Sequence, residues 1–89
     1  MLKTHQYVSQ MPQKETVPLA WAGELLVSLR KEQGLSQQQL AERLGAHQQA
    51  IGRWESAKYR GTSLENLVRV AQALGADIRL TRDFAKDNG

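Results

Sequence analysis

The stretch LSQQQLAERLGAHQQAIGRWE, residues 35–55, sets three glutamines after a serine and two more after a histidine, on either side of Leu44-Gly45-Ala46. Its apolar residues are few but ordered. Ala41, Gly45 and Ile51 stand four and six residues apart, and Leu40, Leu44, Ala46 and Trp54 fill the apolar positions around them. Two helices joined by a tight turn need this arrangement. A small residue at 41 lets the second helix cross over it. Glycine at 45 accepts the positive φ that reverses the chain in so few residues. Ile51 plugs the angle between the helices. Ser36 and Gln39 have the spacing of a capping box and open the first motif helix. The pattern is a helix-turn-helix.

On the N-terminal side, Pro18 fits a first helical turn. Leu19, Ala22, Leu25, Leu26 and Leu29 then recur at helical spacing up to Gly34, which predicts a helix over about 18–33. On the C-terminal side, Thr62 and Glu65 offer a second capping box. Leu64, Leu67, Val70, Ala71 and Leu74 form the stripe of another helix, which Gly75 stops. After Gly75 the period becomes two: Ala76, Ile78 and Leu80 alternate with Asp77, Arg79 and Thr81. That alternation predicts a strand over 76–82. A lone strand has no partner for its backbone groups, so the simplest partner is the same strand of a second copy, with Ile78 and Leu80 at the contact. The other reading is an irregular tail lying on the helices. The expected organisation is a flexible arm at 1–17, a helix-turn-helix domain at 18–75, the strand at 76–82 and a flexible tail at 83–89. The expected fold is all-α, four to five helices, with that short dimer strand.

The chain has 89 residues, which suits one domain with a modest core. It has no cysteine, and its two histidines, His5 and His47, lie far apart. No metal or cofactor is expected. No apolar run approaches the roughly 20 residues that span a bilayer, and the polar N-terminus lacks the apolar region of a signal peptide. A soluble cytoplasmic protein is expected. The net charge of +3 and pI near 9.6 are compatible with a polyanion partner without demanding one. The charge is concentrated, however. Between Ala46 and Arg60 stand Arg53, Lys58 and Arg60 against the single anion Glu55. Nothing suggests an enzyme: there is no nucleophile–base pattern and no glycine-rich phosphate loop. The scattered aromatics Tyr7, Tyr59 and Phe84 form no platform for stacking RNA bases.

The major groove of B-DNA admits a helix whose N-terminal residues touch base edges. Gln48 and Gln49 stand at the start of the second motif helix. Arg53 follows Gln48 by five residues, about 500° around the helix, and so lies one turn deeper and about 140° further round. A glutamine amide can bind adenine N6 and N7 together. An arginine suits guanine O6 and N7, a contact worth ~1–3 kcal/mol of discrimination. Gln37 begins the first motif helix, where free N–H groups and the dipole attract phosphate. Lys58, Tyr59 and Arg60 follow the second motif helix and are candidates for the phosphates of the other strand. His47 either touches phosphate or base, or is an indifferent cap. Gly52 inside the helix costs ~0.5–1 kcal/mol relative to alanine; a close phosphate approach explains it, and so does the absence of any role.

Residues 35–55, with Leu29-Arg30 before and Ser63-Leu64-Glu65 after, resemble the Cro/cI-type (Xre) helix-turn-helix domain of bacterial and phage repressors. The resemblance covers about 19–75. The segment YRGTSLENLVRVAQALGADIRL, residues 59–80, is similar to the HigA-like antitoxins of toxin–antitoxin operons. The resemblance implies a lambda-repressor-like fold, base readers at Gln48, Gln49 and Arg53, and an ion pair of Arg30 with Glu55 tying the first helix to the reading helix. It also implies a homodimeric repressor on palindromic double-stranded DNA. The HigA-like match implies a toxin protein as partner; the alternative is a stand-alone regulator. Two positions depart from the family pattern: His47 replaces the usual Ser or Thr cap, and Ala57 stands where a glycine usually ends the reading helix.

Overall fold

The computed structural model describes residues 16–83. The expected arm at 1–17 and tail at 83–89 fall almost wholly outside that range. A 3₁₀ turn, Leu19–Trp21, leads into α1, Ala22–Glu32. Then come α2, Gln37–Leu44, α3, Gln48–Ser56, and α4, Leu64–Ala73. The architecture is all-helical. None of these helices is long and apolar enough to cross a membrane.

The motif forms as its residues require. The Ser36 hydroxyl accepts from the Gln39 N–H, and the Gln39 carbonyl oxygen accepts from the Ser36 N–H, so the capping box closes at 3.0 and 2.8 Å. Gly45 turns the chain at φ +68°, and the Ala46 N–H reaches back to the Ala41 carbonyl at 2.9 Å. Two orphan carbonyls of α2 are satisfied in this turn. Leu26, Leu40, Ala41, Ile51, Val70 and Leu74 are buried together, so α1, α2, α3 and α4 share one core. Leu29, Leu44, Trp54 and Leu67 pack against it from partly buried positions.

Polar clasps tie the helix ends. The Gln33 side-chain amide donates to the Leu74 carbonyl at 2.6 Å. Arg43 of α2 donates to the Ala73 carbonyl at the end of α4. Arg69 of α4 donates in return to the Leu44 carbonyl at the end of α2. Cations at helix C-termini meet both the orphan carbonyls and the negative end of the dipole.

Three expectations are corrected, and the departure at Ala57 is accounted for. The cap of α4 is Ser63, whose hydroxyl accepts from the Asn66 N–H at 3.1 Å; the Thr62–Glu65 box does not form, because α4 starts one residue later. Leu64, now the first residue of α4, is 74% exposed and Leu19 is 69% exposed, so neither joins the buried stripe. No strand is present among the described residues: 76–82 enter no β-ladder. Finally, Ala57 does not carry the positive φ that ends α3. It sits at φ −90°, and the left-handed residues are Lys58 at +55° and Tyr59 at +61°.

Candidate nucleic-acid interface

The position of α3 is set by a buried ion pair. Arg30 of α1 donates from Nε to Glu55 Oε2 at 2.6 Å and from Nη2 to Glu55 Oε1 at 2.8 Å. Its remaining nitrogen Nη1 reaches the Leu35 carbonyl at 2.7 Å, just before α2. Both residues are 8% exposed. This two-pronged geometry is the strong form of an arginine–carboxylate contact. Burial pushes the Glu55 carboxyl up, but the hydrogen bonds from Arg30 and Gln37 outweigh it and leave the group below its usual range. The hydrogen bond to Glu55 raises the Arg30 guanidinium in turn, against burial. The pair that the resemblance implied is present, and it carries Gln37 as a third member: the Gln37 amide Nε2 donates to Glu55 Oε1 at 2.9 Å.

With Glu55 turned inward, the other face of α3 is open. Gln48, Gln49 and Arg53 are exposed. His47 caps α3 in extended backbone at φ −90°, ψ 145°, and its side chain makes no cap hydrogen bond. Gln49, Gly52, Arg53 and Ser56 span an arc of about 100°. With Gln37 and Ala57 they line a shallow notch between α3 and the start of α2. Ser56 and the notch itself were not singled out by the sequence reading. The signal was there in the spacing of three, four and seven residues from Gln49. A β-carbon on Gly52 would meet only Gln37 Oε1, at an ordinary 3.5 Å.

Lys58 and Arg60 are exposed beyond the end of α3. Tyr59 is not with them. It is 4% exposed, its ring lies 6.3 Å from that of Trp54 at a tilt of 43°, and its buried hydroxyl has no hydrogen-bond partner among the described residues. Burial, helped by the charge of Glu55 and opposed by Arg30, pushes its phenol up to about 12. A phosphate contact through Tyr59 is therefore ruled out by its position. The left-handed backbone at Lys58 and Tyr59 turns the tyrosine into the core while its neighbours stay outside. Ile78 is 45% and Leu80 78% exposed, so both candidate dimer residues present open apolar surface.

A Cro/cI-type helix-turn-helix family model matches residues 26–80. No curated protein and no solved structure matches the chain. The matched span covers more than half of the chain and holds the whole of α2, the Gly45 turn and α3. The chain belongs to the Cro/cI-type helix-turn-helix family of DNA-binding transcriptional regulators.

Proposed function

We propose that the chain is a sequence-specific repressor that reads duplex DNA with the exposed face of α3. The observation that carries this reading is the free state of the readers. Gln48, Gln49 and Arg53 project from one helix with no side-chain hydrogen bond among the described residues, and Glu55, the only carboxylate on that helix, is taken up by Arg30. The cations Arg53, Lys58 and Arg60 are left to face a polyanion. Gln48 and Gln49 suit adenine edges and Arg53 suits guanine. Lys58, Arg60 and His47, all exposed, are the candidates for phosphates. No catalytic role is assigned to any residue.

One reading head covers a few base pairs, so two heads on a palindrome supply useful specificity. The exposed Ile78 and Leu80 favour pairing of residues 76–82 with the same segment of a second copy. The finer reading, an antitoxin with a toxin partner, rests on the resemblance of residues 59–80 and is tested by looking for a small reading frame beside the gene and co-purifying the chain with its product.

The direct test is selection of duplexes from a random pool with the full chain. An enriched palindrome is expected. Its affinity should fall steeply with salt as counterions are released. Gln49→Ala and Arg53→Ala should each cost ~1–3 kcal/mol on that duplex and relax preference at one position. Unchanged preference in both variants would place the readers elsewhere.

A further inference from the structure

Arg43 and Arg69 cross between α2 and α4, each closing the C-terminus of the other's helix. Both line a shallow cavity of about 310 Å³, together with Gln72, Leu44 and Ala73. One N–H of each guanidinium is spent, from Nη1 of Arg43 and Nη2 of Arg69, at 2.8 and 2.7 Å. A guanidinium carries five N–H donors and no acceptor, so most of the donors remain. Glu65 stands four residues before Arg69, the spacing at which a helix pairs its charges, and Glu42 adjoins Arg43. Yet neither arginine forms an ion pair among the described residues. Both side chains are exposed, and both converge on the one cavity.

The two helix ends decide which anion fits. The guanidiniums bring two positive charges, and the C-termini of α2 and α4 each set about half a negative charge against them. A net of about one positive charge is left. Phosphate favours helix N-termini with free N–H groups; here carbonyls lie beside the cations and oppose a doubly charged oxyanion. A carboxylate has one charge and two oxygens for the guanidinium fork, and Leu44 and Ala73 offer its methylenes an apolar floor. The cavity is also apart from the reading surface. Gln37 lines the notch beside α3, and Arg43, six residues on, stands about 240° further round α2. The two cavities share no residue. We infer that the cavity docks an acidic segment of a partner protein, with an Asp or Glu carboxylate seated between Arg43 and Arg69, while α3 stays free. This docking site does not depend on the DNA-reading role of α3.

The probe is an end-blocked hexaglutamate peptide, titrated into the nitrogen-15-labelled full chain at about 0.15 M salt, where exposed charges are screened beyond about 8 Å. The Nε–H signals of Arg43 and Arg69 should move on titration, and that of Arg53 should stay. Inorganic phosphate at the same concentration should move the two signals far less. Arg43→Gln/Arg69→Gln should weaken the peptide by about tenfold or more, whereas Arg53→Gln should leave its affinity within about twofold. Thermal melting monitored by circular dichroism shows whether the double variant is folded; the wild-type signals decide the question where it is not. Arginine signals that stay in place, or an unchanged affinity in a folded double variant, overturn the inference. A phosphate response equal to the peptide's overturns it in favour of a general anion site. A shift of the same two signals by a random-sequence duplex overturns it in favour of a nucleic-acid contact. None of these results alters the test of α3, which is the enrichment of a duplex from the random pool.

Discussion

Gly23 of α1 lies directly against the carbonyl of Lys58: a β-carbon at residue 23 would overlap that oxygen and the carbon that bears it. The contact joins the first helix to the left-handed turn at Lys58 and Tyr59. The obstacle is backbone, so it cannot swing aside like a side chain. Gly23→Ala should destabilise the fold by ~1–3 kcal/mol or more, the cost of overpacking. Urea denaturation measures this, and a wild-type midpoint would show that the two segments do not meet.

Gly52 is the contrasting case. It is also helical, but a β-carbon there fits at ordinary contact distance from Gln37. Gly52→Ala should therefore stabilise the chain by ~0.5–1 kcal/mol through helix propensity alone. The same urea titration reads it. A loss of stability would mean that the notch is tighter than its 3.5 Å contact indicates.

Glu55 and Glu42 offer a matched pair of deletions. Glu55→Ala strands the buried Arg30 charge and should cost ~3–5 kcal/mol. Glu42 is exposed on α2, and its replacement should stay within about 0.5 kcal/mol. Equal shifts in melting temperature would remove the claim that the ion pair organises the fold.

The same carboxylate sets an acid limb. The Glu55 group titrates lower in the folded chain than an ordinary glutamate. Its contribution is present above the unfolded value of about 4.3 and is lost as pH falls through the lower folded value. Glu55→Gln should flatten the loss of stability below pH ~4. Melting curves across acidic pH test the sign, and an acid limb as steep as the wild type's would exclude Glu55 as its source.

Tyr59 sets an alkaline limb. Its phenol ionises near 10 when unfolded and at about 12 in the fold. Stability is thus unaffected below the first value and lost as pH rises towards the second. Tyr59→Phe removes both this loss and a buried hydroxyl with no partner. It should raise stability at neutral pH by about 1 kcal/mol, as read by thermal melting at pH 7 and at alkaline pH. A destabilised Tyr59→Phe would mean that the hydroxyl is hydrogen-bonded after all.

Local chemistry in this chain was legible in the sequence, and contacts over distance were not. Ser36 and Gln39 announce their cap because the whole device lies within four residues. Gly45 announces its turn because an αL residue is needed where the period breaks. Arg30 and Glu55 stand 25 residues apart and were found only through the resemblance. Gly23 gave no signal, since a glycine among apolar residues looks neutral until Lys58 is folded against it. Tyr59 sits between two exposed cations, and only the left-handed backbone at 58 and 59 turns it inward. Thr62 and Ser63 are both able caps, and the difference of one residue was beyond pattern reading. The alternation at 76–82 forms no strand among the described residues, and the reading of it depends on a second copy that a single chain does not contain.

Arg43 and Arg69 bear on how the chain comes off the ribosome. Arg43, inside the DNA-reading motif, closes on the carbonyl of Ala73, and Leu44 is closed by Arg69. The motif is translated first and closes its own turn at Gly45, but the Leu44 carbonyl gains its side-chain partner only from α4. A chain that stopped before α4 would lack both bonds together with the buried Val70, Ala71 and Leu74, and the motif would be left without the last wall of its core.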